Sequence, residues 1–259
     1  MLSLTSRPVL KLLYHSRARF SVNKITELPK FLKQWDSGFR TQNPDLVSSL
    51  YDTPEDSQIH DYFKFLVPQV SYIKWDDCFS KNIGGVRIDS GRQTFYLRNG
   101  FSTPVIFTTV TDVYDNKILF HHSTQRNQDD LQPFTTLLVP SMVTHNVTHS
   151  TITRWLNAVE KKNVMLLDAL YDSDAKMNLL RLEEDSFSLF KSYLMQFTKD
   201  INKIDLAYLN QLEINKRYKL FYGNAFVCYK NDLNLLVSFS FILEERAEQF
   251  KICHQQFFI

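Results

Sequence analysis

Two adjacent histidines are the side chains of this 259-residue sequence best suited to do chemistry. His121 and His122 lie in the segment 117–125, whose β-branched and aromatic residues predict a strand. Successive side chains of a strand point to opposite faces, so we expect one histidine to face the interior of its domain and the other the outer face. A metal ion needs ligands that converge from one side, so the pair does not predict a metal site. Both histidines are candidate pocket residues, and the alternative is that they only support the fold.

A second pair of histidines has the spacing of zinc ligands on a helix. His145 and His149 are four residues apart, but the segment between them is β-branched and lies where we expect a linker, so we interpret the spacing as coincidental. The 3 cysteines form no CxxC pair, and with only 6 glycines the sequence has no phosphate-binding glycine motif. Signatures of a nucleophilic serine or cysteine are absent too. The sequence therefore predicts no catalytic residue, no metal ligand and no cofactor.

The basic residues at the start of the chain predict where in the cell the protein is located. Residues 1–26 contain five Lys and Arg and no acidic residue, with leucines that give a helix an apolar side. This composition is typical of a mitochondrial targeting segment, and the triplet Arg19-Phe20-Ser21 resembles a matrix-protease cleavage point. The alternative is a basic tail. We predict a location in the mitochondrial matrix or on the matrix side of the inner membrane.

The rest of the chain carries a small negative charge. Outside residues 1–26, 25 basic residues stand against 28 acidic ones. Binding to nucleic-acid phosphates depends on clustered Lys and Arg, so we expect no broad nucleic-acid binding. No run of 18 apolar residues occurs, which predicts no transmembrane span and leaves peripheral contact with a membrane open.

The elements that position these side chains are repeated along the chain. Five residues recur 120 positions later: Trp35, Asn43, Leu50, Tyr51 and Asp52 return as Trp155, Asn163, Leu170, Tyr171 and Asp172. Phe63-Lys64 has an echo in Phe190-Lys191, and the segment 120–122 has a weaker one in 252–254. So long a period predicts a tandem duplication of a whole domain.

Periodicity and turn residues predict that each copy places helices before strands. In the first copy we expect helices over 28–39, 43–51 and 53–66 and strands over 70–79, 86–97, 103–114 and 117–125. In the second copy we expect helices over 151–163, 164–171 and 185–198 and strands over 203–215, 217–230, 232–244 and 248–258. The predicted class is α+β, with a first domain at 27–126, a linker at 127–150 and a diverged second domain at 151–259.

Four segments of the first copy follow a known pattern in the same order. They are 35–51 with Asn-Pro-Asp and Leu-Tyr, 59–66 with Ile-x-x-Tyr-Phe, 88–95 with Ser-Gly and Thr-Phe, and 118–123 ending in His-His-Ser. With these segments the stretch 28–126 resembles the nuclear-transport-factor-2-like (SnoaL-like) superfamily, and within it the association domain of calcium/calmodulin-dependent protein kinase II. The second copy is similar only in part, because it lacks the Ser-Gly strand. The resemblance implies two cone-shaped domains, each with helices packed on a curved antiparallel sheet.

The resemblance also implies what a pocket would contain. Enzymes of this superfamily, such as ketosteroid isomerase and the polyketide cyclases, hold an acidic base and a stabilising acid or tyrosine in an apolar cone. By this resemblance Tyr62, Asp89 and either His121 or His122 are candidate pocket residues. Two other interpretations stay open: Asp89 fits a solvated carboxylate at a strand edge, and Tyr62 fits a core residue at its helical spacing.

These observations favour a structural role. We predict a non-catalytic accessory or scaffold subunit of a mitochondrial assembly, a respiratory-chain or ATP-synthase complex before a mitoribosome, with other protein subunits as partners and the two copies paired as an intramolecular pseudo-dimer. The alternative is a SnoaL-type small-molecule-binding protein, isomerase or cyclase that uses the first cone. An open cone with Asp89 or His122 pointing inward would favour the alternative, and a cone plugged by Phe63, Phe65 and Phe95 would favour the scaffold.

Overall fold

The chain folds into two units, each made of helices and a five-stranded sheet. The structure is a computed structural model that describes residues 28–52, 58–125, 134–138, 143–178, 195, 198–199, 201–230, 233–246 and 249–258. The first unit comprises α1 (Lys30–Arg40), α2 (Pro44–Ser48), α3 (Gln58–Leu66), a 3-10 turn (Val67–Gln69), β1 (Val70–Ile83), β2 (Val86–Leu97), β3 (Ser102–Asp112), β4 (Lys117–Gln125) and β5 (Phe134–Leu138). The second unit comprises α4 (Ser150–Glu160), α5 (Val164–Leu170), β6 (Tyr171–Asn178), β7 (Ile201–Glu213), β8 (Tyr218–Tyr229), β9 (Asn234–Arg246) and β10 (Gln249–Phe258).

The same local sequence starts the short helix of each unit. The Asn43 side chain caps α2 by accepting a hydrogen bond from the Leu46 amide at 3.0 Å, and Asn163 caps α5 by accepting one from the Leu166 amide at 3.0 Å. Such a cap satisfies an N–H group that the first turn of a helix leaves without a partner. In both units the residue before the asparagine has a positive φ, 56° in the first and 55° in the second. Equivalent residues of the sequence repeat therefore build equivalent local structure.

The strands that follow form one sheet in each unit. The first sheet is antiparallel throughout, in the order β1-β2-β3-β4-β5. The second has the order β6-β10-β9-β8-β7 and is antiparallel except that β6 runs parallel to β10. The tyrosine of each repeat joins its sheet in the same way, since Tyr51 pairs in parallel with Ile118 and Tyr171 pairs in parallel with Ile252.

The helices cover one face of each sheet, and a core fills the space between them. Trp35 and Trp155 lie at the same position of α1 and α4 and are only 4% and 1% exposed. Around Trp35 the buried aromatic residues are Phe31, Phe39, Tyr51, Phe63, Phe95 and Phe107. Around Trp155 they are Tyr171, Phe221, Phe239 and Phe241. The helices thus fix the inner face of each sheet, and this face carries the candidate site.

The opposite faces of the two sheets pack against each other. A third buried cluster draws residues from both units: Ile83, Val86, Ile88, Val110 and Phe120 from the first, and Leu212, Tyr218, Leu220, Tyr222, Ile242 and Cys253 from the second. The rings of Phe120 and Tyr222 lie 5.7 Å apart, and the side-chain amide of Asn215 donates a hydrogen bond to the Gly84 carbonyl at 3.2 Å. Each sheet is consequently buried on both faces where the units meet.

The α+β class and the order of helices before antiparallel strands are confirmed. Strand β1 continues past the predicted end at 79 to Ile83, and the predicted linker contains β5, because Phe134–Leu138 is a β-favouring segment that pairs with β4. Strand β6 was not predicted. The backbone takes an extended conformation at Tyr171, directly after α5, and the residues that follow pair in parallel with β10. Most of the predicted helix 185–198, the Phe190-Lys191 echo and the basic segment 1–26 lie outside the described residues. Within the described ranges, no helix combines the length and the apolar character needed to cross a membrane.

Candidate functional site

A row of polar side chains crosses the inner face of the first sheet. Asp89, Thr109 and His121 are partners in the strand register of β2, β3 and β4, so their side chains lie next to one another on the same face. All three are buried, with exposed fractions of 0%, 3% and 5%. Neighbouring strands are about 4.8 Å apart, which separates Asp89 and His121 by about 10 Å. Two of the four predicted pocket residues therefore share one face without touching.

Asp89 is the carboxylate of this row. Arg87 Nε donates a hydrogen bond to Asp89 Oδ2 at 2.7 Å, and Ser80 Oγ donates one to Asp89 Oδ1. Burial raises the pKa of Asp89, and the Ser80 hydrogen bond and the Arg87 charge oppose this rise. The interpretation of Asp89 as a solvated carboxylate at a strand edge is wrong, because β1 extends to Ile83 and covers β2 at this point. Asp89 belongs to a buried ion pair.

His121 forms a hydrogen bond with Tyr51, one of the five residues that recur in the second unit. The Tyr51 hydroxyl and His121 Nδ1 are 2.5 Å apart, and the two rings stack at a centroid distance of 6.0 Å. Burial lowers the pKa of His121 to about 4. Burial also raises the pKa of Tyr51 well above its ordinary value, which the neighbouring Trp35 indole only partly offsets. Both groups are neutral at neutral pH and form an uncharged hydrogen-bonded pair.

His122 faces the other way and does not join this site. Its Nδ1 lies 3.4 Å from Ser240 Oγ of the second sheet, and nearby Thr108 Oγ1 lies 3.3 Å from His254 Nε2. Burial and, to a smaller extent, the electrostatic effect of His121 together lower the pKa of His122 to about 3. The two adjacent histidines thus point to opposite faces, as the strand periodicity predicts, with His121 inside the first unit and His122 between the units.

Tyr62, the fourth predicted pocket residue, packs against the core from α3. It is partly buried, its ring lies 5.1 Å from that of Phe63, and it does not line the cavity described next. Phe63 and Phe95 are buried, with exposed fractions of 0% and 6%, whereas Phe65 is 72% exposed. Two of the three aromatic residues predicted to plug the cone therefore do fill its interior, and the third faces solvent.

The inner face of the first unit contains a small cavity next to His121. Its volume is about 10 Å³, and the residues that line it are Phe31, Leu32, Trp35, Trp75, Gln93, Phe107, Thr109 and His121. Pockets that bind organic ligands measure roughly 300 to 1,000 Å³, so this cavity is smaller by more than an order of magnitude. Sequence reasoning missed Gln93 and Thr109 as site residues; the alternation of β2 places Gln93 on the same face as Asp89 and could have indicated it.

The second unit has a different interior on the same framework. Gly91 pairs with Phe107, and Gly223 pairs with Phe239, which aligns β2 with β8 and β3 with β9. Counting from these pairs gives three equivalences: Asp89 with Phe221, Gln93 with Ala225, and Thr109 with Phe241. The three second-unit residues are 0 to 2% exposed and belong to its hydrophobic core. At these three positions the first unit has polar side chains and the second has apolar ones.

The hydrogen bonds around the tyrosine are also related between the units. In the second unit, Trp155 Nε1 donates to the Tyr171 hydroxyl at 2.7 Å, and this hydroxyl donates to Gln255 Oε1. Gln255 takes the place of His121, since each follows the parallel pairing of its tyrosine by three residues. The predicted echo of 120–122 in 252–254 is therefore wrong by two residues, because the strand pairings align 120–122 with 254–256. A glutamine amide thus performs the hydrogen bonding for which the first unit uses an imidazole.

The other predicted histidines do not form a metal site. His149 caps α4 by accepting a hydrogen bond from the Thr151 amide at 3.3 Å, and His145 Nδ1 lies 3.3 Å from Asn210 Oδ1. In the part of the chain that the structure describes, no three His, Cys, Asp or Glu residues are grouped so that they could hold a metal ion.

Comparison with known proteins gives likenesses of structure alone. No protein-family model matches the chain, and no curated protein matches it. Among solved structures, a protein from Xanthomonas campestris provisionally named a calcium/calmodulin-dependent protein kinase II association domain is 17% identical, over 41% of this chain and 80% of that one, with a TM-score of 0.36. One from Shewanella frigidimarina provisionally named a ketosteroid isomerase is 10% identical, over 42% and 91%, with a TM-score of 0.36. A hypothetical protein with a ketosteroid isomerase-like fold from Catenulispora acidiphila is 14% identical, over 44% and 87%, with a TM-score of 0.34.

Proposed function

We propose that this chain is a non-catalytic accessory or scaffold subunit of a mitochondrial multi-subunit assembly, with a respiratory-chain or ATP-synthase complex as the first candidate. The observation that carries the proposal is the size of the cavity beside His121 in the described part of the first unit, about 10 Å³. An enzyme must enclose its substrate next to the groups that act on it, and no organic substrate fits this volume. Two pairs of polar side chains in this interior are hydrogen-bonded to each other: Asp89 with Arg87, and Tyr51 with His121.

We propose further that the two units arose by duplication and now act as an intramolecular pseudo-dimer. Equivalent tryptophans, equivalent asparagine caps and equivalent tyrosine pairings support a common origin. The cluster between the sheets supports the pseudo-dimer, because its buried apolar residues come from both units. Pairing within one chain leaves other surfaces of both units for neighbouring subunits.

The mitochondrial assignment and the scaffold role are tested together by isolating the chain from its native source. We expect the tagged chain, expressed at its native level, to co-migrate with an inner-membrane complex on a native gel, and mass spectrometry of that band to show its partner subunits. A matched variant, Gln93→Ala, introduces the residue found at the equivalent position 225 of the second unit. It removes the Gln93 side-chain amide from the cavity and leaves the surface of the protein unchanged. We expect this variant to co-migrate as the wild type does.

A second candidate function is a small-molecule-binding protein that uses the first unit. One observation favours it: the first unit keeps polar residues at Asp89, Gln93 and Thr109 where the second has apolar ones, and burying polar groups is costly unless they are used. Native mass spectrometry distinguishes the two. A soluble monomer that carries a bound small molecule, and loses it in Gln93→Ala, would establish the second candidate and overturn the scaffold proposal.

A further inference from the structure

Of the six buried polar atoms in the described part of the first unit that lack a hydrogen-bond partner, three belong to residues that line the small cavity. They are Trp35 Nε1, Gln93 Oε1 and His121 Nε2, and the three side chains are between 95% and 98% buried. A buried polar group without a partner destabilises a protein by about 1 to 3 kcal/mol. Three of them around one cavity indicate a shared partner.

The hydrogen-bonding character of two of these atoms is fixed by chemistry. An indole N–H is only a donor, and the Gln93 carbonyl oxygen is only an acceptor. The Trp35 indole lowers the pKa of the Tyr51 hydroxyl by hydrogen bonding, but its N–H does not meet that oxygen with the distance and angle of a full hydrogen bond. The cavity therefore presents at least one donor and one acceptor.

The character of His121 Nε2 follows from the second unit. There the Tyr171 hydroxyl donates to Gln255, the counterpart of His121. The same direction in the first unit makes Tyr51 the donor to His121 Nδ1, so the neutral imidazole carries its hydrogen on Nε2. Nε2 is then a second donor on a residue that lines the cavity. Two donors and one acceptor are the partners that one water molecule bonds when it accepts twice and donates once.

We infer that the first unit binds one internal water molecule, which accepts hydrogen bonds from Trp35 Nε1 and His121 Nε2 and donates one to Gln93 Oε1. A volume of about 10 Å³ is close to what a single water molecule needs, and buried waters typically make about three such bonds. The second unit needs no such water, because Trp155 bonds Tyr171 directly and Phe241 stands where Thr109 leaves space in the first unit.

The three tryptophans of the chain allow the water to be observed in solution. A nitrogen-15 spectrum of the full chain has three indole N–H signals, from Trp35, Trp75 and Trp155. Trp75 donates to Asp36 at 3.1 Å and Trp155 donates to Tyr171. We expect a nuclear Overhauser effect from long-lived water to the Trp35 signal, and a Trp155 signal that serves as the internal control.

The variant Thr109→Phe places in the first unit the residue that the second has at Phe241, and it fills the cavity. We expect it to remove the water signal at Trp35 and to leave the Trp155 signal in place, which also reports that the second unit is folded. If Thr109→Phe fails to fold, Gln93→Leu serves the same purpose by removing the acceptor. A water signal at Trp35 that survives in the variant that folds would contradict the inference.

A crystal structure of the full chain gives an independent test. We expect one spherical density peak within about 2.6 to 3.2 Å of all three atoms, the range of ordinary hydrogen bonds. A structure in which Trp35 bonds Tyr51 directly, as Trp155 bonds Tyr171, or in which the cavity is dry, would overturn the inference.

Discussion

Lowering the pH from 7 to 4 is expected to destabilise this protein strongly. Three of the described histidines are buried, and burial is the main cause that lowers the pKa of His121 to about 4, of His122 to about 3 and of His254 to about 4. In the unfolded chain each has an ordinary pKa of about 6.5. Between the folded and unfolded values the unfolded chain binds more protons, so the free energy of unfolding falls as the pH falls below about 6.5. Above about pH 6.5 these histidines do not lower the free energy of unfolding.

The size of the loss in unfolding free energy follows from the difference between the unfolded and folded pKa values of these histidines. By pH 4 each of the three histidines reduces the free energy of unfolding by up to about 3 kcal/mol, at about 1.4 kcal/mol for each pH unit. Ordinary proteins are stable by only about 5 to 15 kcal/mol, so the combined loss is comparable with the whole. Urea unfolding followed by circular dichroism at pH 7, 6, 5 and 4.5 measures it. Equal stability at pH 7 and pH 4.5 would contradict the prediction.

The double variant His121→Gln, His122→Gln gives the matched control. It copies the second unit, which has Gln255 and Gln256 at the equivalent positions of β10. At pH 7 we expect little change in stability at position 121, because Gln255 already makes the equivalent hydrogen bond with Tyr171. Below pH 6 the variant should lose much less stability than the wild type, and a pH dependence identical to that of the wild type would show that other groups cause the loss.

One buried carboxylate acts in the opposite direction. Burial raises the pKa of Asp89, so the folded state holds its proton more tightly than the unfolded chain does. Its protonation at low pH therefore stabilises the folded state and offsets part of the loss caused by the histidines. Three histidines against one carboxylate still leave a net loss on acidification.

The local structure of the repeat could be predicted from the sequence because each residue acts on its neighbours. An asparagine before Pro44 or Val164 caps a helix through a hydrogen bond only three residues away. The opposite directions of His121 and His122 follow from strand geometry alone. These features require no knowledge of what the rest of the chain does.

The composition of the candidate site could not be predicted, because it depends on strand register and on the second sheet. Thr108 and Thr109 look alike in the sequence, yet Thr109 lines the cavity and Thr108 meets His254 of the other unit. Asp89 is buried because β1 runs further than its sequence pattern indicates. The parallel strand β6 was missed for a similar reason, since it is formed by a long-range pairing with β10.

Phe120→Ala is expected to destabilise both units at once. Phe120 is 0% exposed and lies in the cluster between the sheets, where its ring meets that of Tyr222 from the other unit at 5.7 Å. Removing a buried phenylalanine ring typically destabilises a protein by about 3 to 5 kcal/mol. Because the ring supports both sheets, we expect the two units to unfold in one transition at a lower urea concentration.

A single tryptophan makes this measurable unit by unit. With Trp75→Phe and Trp35→Phe in the background, the fluorescence of Trp155 reports the second unit alone, and we expect Phe120→Ala, a first-unit substitution, to lower its midpoint. Phe226→Ala is the matched control, since Phe226 is 48% exposed on the second sheet and should change stability by about 0.5 kcal/mol or less. A Trp155 transition that Phe120→Ala leaves in place would mean that the units are stable independently.

A double-mutant cycle between Phe120 and Tyr222 then separates contact from general destabilisation. Aromatic pairs contribute about 0.5 to 1.5 kcal/mol beyond their buried area, and residues in contact show non-additive effects. We therefore expect the combined loss in Phe120→Ala, Tyr222→Ala to be smaller than the sum of the single losses by about that amount. Additive losses would show that the two sheets lie near each other without depending on this contact, and the pseudo-dimer would then have to be held by the remaining residues of the cluster.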